Sequence, residues 1–215
     1  MKNILEISSV KIEWTELTDE ERAQTMDRAR FNLSQEDVVT QIPRTTKSIM
    51  IASGKGGVGK SSVTANIATG LAARGLTVGV LDADIWGFSI PQMLGVDGRL
   101  AGNEETKKIV PLIKNVGTGT LKIISMGFLV DENKASLNWR GLILNRAVRH
   151  FLEDVEWGDM DYLVIDMPPG TGDVQMGLAK MLPRSDMIVV TTPSKTVQTV
   201  ATRVASMAQS CLLYT

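Results

Sequence analysis

Gly54-Lys55-Gly56-Gly57-Val58-Gly59-Lys60-Ser61 decides how this chain is read, because it satisfies GxxxxGK[ST] directly after the apolar run at 48–53. A helix is expected over 60–74, closed by Gly75, and a further strand over 77–81. Glycines let backbone N–H groups wrap an anion, and the helix start adds a favourable dipole. In such a loop Lys60 neutralises β and γ phosphates, Ser61 offers its hydroxyl to magnesium and Ser62 supports the α phosphate. A merely flexible glycine turn leaves the Lys-Ser pair at that offset, after a buried strand, unexplained. Gly54 to Ser62 are therefore expected to bind ATP with Mg2+.

Outward from the loop, apolar runs alternate with helical stretches. Strands are expected at 121–125, 162–165 and 187–191, and helices at 141–155, 174–182 and 196–209. Such alternation predicts an α/β fold, a mostly parallel sheet with helices on both faces. The stretch 95–120 is rich in Gly, Asn, Thr and Lys, with a possible short strand only at 109–113. It is expected to be a surface excursion without chemistry.

Before the loop, 10–17 alternates as a strand would, and Thr18 with Glu21 forms a capping box for a helix over 20–31. Residues 32–47 are polar, carry Pro43 and show no period. The expected division is a partial α/β module at 1–31, a linker at 32–47 and the main domain at 48–215.

The 215 residues are 43% hydrophobic and 22% charged, as in a globular chain with one main core. With 23 basic against 24 acidic residues, charge does not argue for nucleic acid or an anionic membrane as partner. The opening residues lack the apolar core of a signal peptide, and no run approaches the roughly 20 apolar residues of a membrane span, so a cytoplasmic location is expected. Cys211 is the sole cysteine, which excludes an internal disulfide or a CxxC metal site within these residues.

Two carboxylates complete the candidate site. Asp84, in Leu81-Asp82-Ala83-Asp84, emerges at the carboxyl end of the second strand, where it can orient water or hold magnesium-bound water, while Asp82 reads as structural. Asp166 ends the apolar run 162–165 in the manner of a Walker B and is expected to bind magnesium through water. The following Pro168-Pro169-Gly170-Thr171-Gly172-Asp173 combines stiffness and freedom as a switch does, with the Gly170 amide placed to sense a γ phosphate.

With Lys55, the loop resembles the deviant Walker A of the class containing MinD, ParA and the nitrogenase iron protein. That resemblance implies a homodimer in which Lys55 contacts nucleotide across the interface, and catalytic roles for Lys55 and Asp84. The blocks ASGKGGVGKSSVTANIA, LDADIWGFSIPQMLG, NWRG and DYLVIDMPPGTGDVQMGLA resemble one subgroup more closely, the Mrp/ApbC iron-sulfur cluster carrier ATPases. KIEWTELTDEERAQTMDRARFNL is similar to the tail of the small domain that precedes the ATPase domain in bacterial members. Phe88 and Leu142 stand where proline is common in that subgroup.

This resemblance implies an ATP-hydrolysing carrier that assembles or transfers iron-sulfur clusters to client apoproteins. The subgroup's CPxC cluster motif falls beyond residue 215, and Cys211 does not replace it, so no cluster ligand is expected in these residues and the domain reads as cut short at both ends. A ParA- or MinD-type partition or positioning ATPase is the alternative. It needs a basic DNA-binding surface or a C-terminal amphipathic membrane helix, neither of which is visible. A small-molecule kinase would need an arginine lid, and Arg140, Arg146, Arg149 and His150 fit a solvated helix face at least as well. The methionines, including Met176 and Met181, read as fillers of core gaps.

Overall fold

The computed structural model describes residues 16–33, 40–84, 87–129 and 141–210. The first element, α1 (Asp19–Leu33), starts at the anticipated capping box. Thr18 N–H donates to Glu21 Oε2 at 2.9 Å, and Glu21 N–H donates to Thr18 Oγ1 at 3.3 Å, so each residue satisfies a donor the first turn leaves open. Most of the strand expected at 10–17 lies outside the described residues, and Glu16 and Leu17 form no strand. Ile85, Trp86, Arg140 and Cys211 also lie outside them.

The main body runs β1 (Lys47–Ser53), α2 (Lys60–Ala72), β2 (Thr77–Asp82), α3 (Ile90–Leu94), β3 (Ala101–Gly102), β4 (Ile109–Val110), β5 (Leu112–Val116) and β6 (Gly119–Ser125). It continues through α4 (Gly141–Glu153), β7 (Tyr162–Asp166), α5 (Asp173–Met181), β8 (Asp186–Val190) and α6 (Lys195–Ser210). Gly75 stops α2 as expected, with φ of 89° and its N–H on Ala72 O at 2.8 Å.

Six strands form one sheet in the order β5-β6-β2-β7-β1-β8. The five from β6 to β8 are parallel, and β5 joins the edge antiparallel to β6. Parallel strands are covered on both faces, so alternate residues feed two apolar layers. Met50, Leu81, Leu163 and Ile165 face α4, α5 and α6, including Phe151, Leu178 and Val204. Ile51, Val78, Val80 and Val164 face α2 and α3 through Ala65, Ala68 and Ile90.

The stretch 95–120 is more than a surface excursion. β5 extends the main sheet and β3 pairs with β4. Ile109 N–H reaches Asp154 O at 2.8 Å, and Glu156 N–H reaches Ile109 O at 2.9 Å. Composition hid this because edge strands and tight turns tolerate the same polar residues as loops. Residues 40–46 also rest on the main body. Gln41 N–H donates to Leu152 O at 2.7 Å, and Thr46 Oγ1 to Met160 O at 2.9 Å. Arg146, Arg149 and His150 are exposed. Met181 packs on the core, whereas Met176 is 39% exposed rather than filling a core gap. Among the described residues no helix is long and apolar enough to cross a membrane.

Candidate functional site

β7 lies between β1 and β2, so the loop after β1, the end of β7 and the start of the β2–α3 connection meet at the carboxyl edge of the sheet. Ligands of open α/β sheets collect at this edge. Gly57 and Gly59 take φ of 77° and 91°, a left-handed turn that side-chain-bearing residues resist, and Gly59 delivers the chain into α2. A Cβ at Gly56, Gly57 or Gly59 would meet nothing within 4 Å, so the cradle stays open for a bulky anion. The cleft above it holds about 430 Å³ and includes Gly56, Lys60, Ser61, Ser62, Asp84 and Pro169 in its lining.

Asp166 is fully buried and satisfied by three donors from the first two turns of α2. Lys60 Nζ lies 2.8 Å from its Oδ1, Ser61 Oγ donates to Oδ2 at 2.6 Å, and Thr64 Oγ1 donates to Oδ1 at 2.8 Å. Asp84 adds a second carboxylate 3.6 Å from Lys60. Thr64 was not singled out in the sequence. Its signal is position i+4 from Lys60, which puts both residues on one face of the helix.

Asp82 is also fully buried. Burial pushes its carboxyl up to about 7, and the nearby Asp166 charge adds to the rise. Hydrogen bonds from Ser125 Oγ at 3.0 Å, Asp84 N–H at 3.2 Å and Ile90 N–H at 3.4 Å oppose that rise.

Other candidate residues stand apart from this cluster. Lys55 is exposed, Val58 and Gly54 are half-buried, and Asp173 is exposed in the first turn of α5, where the helix dipole favours a carboxylate. Gly170, with φ of 99°, directs its N–H to Ser53 O at 2.9 Å. Gly54 has a packing role that the motif does not reveal. A Cβ there would lie 2.7 Å from the Val200 carbonyl carbon and 2.9 Å from Ala201 N, so the loop and α6 touch backbone to backbone.

The donor set suits a magnesium nucleotide. Magnesium takes one or two protein oxygens beside phosphates and water, and Ser61, Asp84 and Asp166 offer oxygen only. Among the described residues no group of three or more His, Cys, Asp or Glu is placed to hold a metal unaided.

Known proteins resemble this chain over most of its length. A curated iron-sulfur cluster carrier protein from Mycobacterium leprae is 42% identical over 202 residues, covering 94% of this chain and 51% of that protein. Another from Bacillus subtilis is 48% identical over 160 residues, covering 74% of this chain and 44% of its own length. The chain spans about half the length of the curated relatives it matches. Among solved structures, a nucleotide-binding protein from Archaeoglobus fulgidus in complex with ADP is 32% identical with a TM-score of 0.64, covering 93% of this chain and 69% of that one. The septum site-determining protein MinD from Pyrococcus horikoshii, complexed with Mg-ADP, shares the fold at 23% identity and a TM-score of 0.54, covering 79% and 67%. The family model for the NUBPL iron-transfer P-loop NTPases, of ParA type, matches residues 44–213, and the chain belongs to that family.

Proposed function

We propose that this protein binds ATP with magnesium, hydrolyses it, and couples that cycle to carrying iron-sulfur clusters to client apoproteins. The observation that supports the nucleotide chemistry best is the meeting of Lys60, Ser61 and Asp166 under an open glycine cradle. Lys60 binds β and γ phosphate oxygens, and the backbone of residues 54–59 encloses the phosphates. Ser61, and Asp166 through water, would hold magnesium, which when bound would supply positive charge to offset that of the phosphates. Ser62 supports the α phosphate, while Asp84 orients the attacking water. Lys55, exposed on the loop, reaches nucleotide bound to a second copy in a homodimer. Gly170 and Asp173 belong to the stretch that responds to the γ phosphate, and the Gly170 N–H then exchanges Ser53 O for phosphate oxygen. Residues 48–215 form the ATPase domain, and 1–31 belong to a separate small module joined through 32–47.

The carrier half of the proposal rests on family membership and on the names of the 42% and 48% identical relatives. The fold shared with MinD does not favour a positioning role, because fold alone does not specify function.

ATP turnover with magnesium, measured for the wild type, Lys60→Ala and Asp84→Ala, tests the enzyme half. Turnover lost in both variants supports it, and a wild type that binds neither ATP nor ADP refutes it. For the carrier half, protein reconstituted with iron and sulfide is mixed with an apo iron-sulfur acceptor, and acceptor absorbance is followed. ATP turnover without any cluster transfer would leave a partition-type ATPase as the better reading.

A further inference from the structure

Asp84 stands two residues past the end of β2, beside Lys60, and outside any helix or strand, so contacts beyond the strand ladder help to hold its carboxylate there. Two such supports are present. The first is Asp82, whose single carboxylate accepts the N–H of Asp84 at 3.2 Å and the N–H of Ile90 at 3.4 Å. It is tied to the end of β6 by Ser125 Oγ at 3.0 Å, and that hydroxyl in turn accepts Gly127 N–H at 3.0 Å.

The second support is Phe88. Its ring sits so close over Gly127 that a Cβ at 127 would lie 2.4 Å from Cδ2, 2.8 Å from Cγ and 3.0 Å from Cε2. Next to it, Gly87 N–H donates to Asp84 Oδ1 at 3.2 Å, and a Cβ at 87 would stand 3.3 Å from Asp84 Oδ2. The contacts therefore run from Gly127 through the Phe88 ring and the Gly87 amide to the Asp84 carboxylate. An aromatic ring over a glycine is ordinarily core filling. Phe88, however, is half-buried and stands in neither apolar cluster of the described residues, so its seat ties residue 88 to Gly127 rather than filling the core.

We propose that Phe88, seated on Gly127, and Asp82, tied to Ser125, are positioning residues that hold the Asp84 carboxylate in place for ATP hydrolysis. The inference rests on the hydrolytic reading above and adds to it which contacts set the reaction geometry. Small displacements of a reacting group cost large factors in rate and leave binding of the remote parts of the substrate intact.

The test compares wild type, Gly127→Ala, Phe88→Ala, the double variant, Phe88→Tyr and Ser125→Ala. Turnover number, ADP affinity by fluorescence titration and melting temperature are measured for each. The backbone at 127 is not left-handed, so alanine there is strained only by the ring. Gly127→Ala and Phe88→Ala are each expected to lower turnover about tenfold or more. ADP affinity should stay within about twofold, because the phosphate cradle is untouched. Phe88→Tyr, which keeps the ring, retains the wild-type rate. The double variant is no slower than Phe88→Ala alone, since the added methyl then has no ring to displace. Ser125→Ala slows turnover in the same pattern and guards against a Gly127 variant that fails to fold.

Wild-type rates in the folded single variants, rate losses that add in the double, or ADP affinity falling in step with rate would each overturn the proposal. A wild type that turns over ATP while the variants match it overturns this inference alone. A wild type that neither binds ADP nor turns over ATP overturns the hydrolytic reading and this inference with it.

Discussion

Lys60 Nζ stands 2.8 Å from Asp166 Oδ1, with the lysine side chain 6% exposed and the carboxylate not exposed at all. An ion pair at this depth is costly to assemble and costlier to halve, because the remaining charge keeps its desolvation penalty after its partner is gone. Lys60→Ala is therefore expected to destabilise the nucleotide-free protein by about 3 kcal/mol, part of the usual loss being offset by Ser61 and Thr64. Urea unfolding measures it. A loss below about 1 kcal/mol would mean that the two hydroxyls satisfy Asp166 without the lysine.

Thr64 is buried and spends its hydroxyl on Asp166 at 2.8 Å. Thr64→Val keeps the shape and removes the donor, so a loss of about 1–2 kcal/mol is expected. Thr64→Ser should recover most of it. If the serine variant is no better than the valine, methyl packing rather than the hydrogen bond sets the residue.

Gly54 and Gly56 share a motif and differ in surroundings. Alanine at 54 drives a methyl into the backbone of Val200 and Ala201, which cannot swing aside as a side chain can. Gly54→Ala is expected to cost about 1–3 kcal/mol by overpacking. Alanine at 56 meets nothing within 4 Å, so Gly56→Ala should leave the melting temperature unchanged while weakening ADP binding, since the methyl intrudes on the phosphate path. Equal stabilities for the two variants would contradict the backbone contact.

Glu156 supplies a dependence on pH. Hydrogen bonds from Thr106 and then Asn103 hold its carboxyl below the usual 4.5, and the Lys108 charge adds a little. A carboxylate with a lowered folded pKa contributes stability that is present above its ordinary value and lost as pH falls through the folded one. Glu156→Gln should remove that contribution. The wild type and Glu156→Gln are expected to converge in melting temperature as pH drops below 4.5. Parallel melting curves across that range would show the contact to be neutral.

Much of the fold was legible from the sequence because each sign was local. The phosphate loop is eight consecutive residues whose glycines and Lys-Ser pair have meaning only in that order. Strand 162–165 was expected and β7 covers Tyr162–Asp166, since a strand buried on both faces leaves an unbroken apolar run. α3 was missed, and the possible strand at 109–113 caught β4 and only the first two residues of β5. β5 has alternate residues in water at the sheet edge, and α3 is five residues long, too short to display a helical period.

The candidate site divides in the same way. Spacing singled out Lys60, Ser61, Asp84 and Asp166 and marked Thr64 only through its i+4 offset from Lys60, while nothing in it signalled the Phe88 ring on Gly127 or α6 against Gly54. Each of those contacts joins segments whose sequence patterns are independent.

From sequence alone came the α/β alternation and the phosphate loop, because period and motif depend on residues a few positions apart. Tertiary structure alone decided that β7 inserts between β1 and β2, which carries Asp166 across 105 positions to Ser61 and buries Asp82 level with it. Sheet order is settled by which apolar faces the helices can cover together, a balance over the whole core that no local pattern encodes.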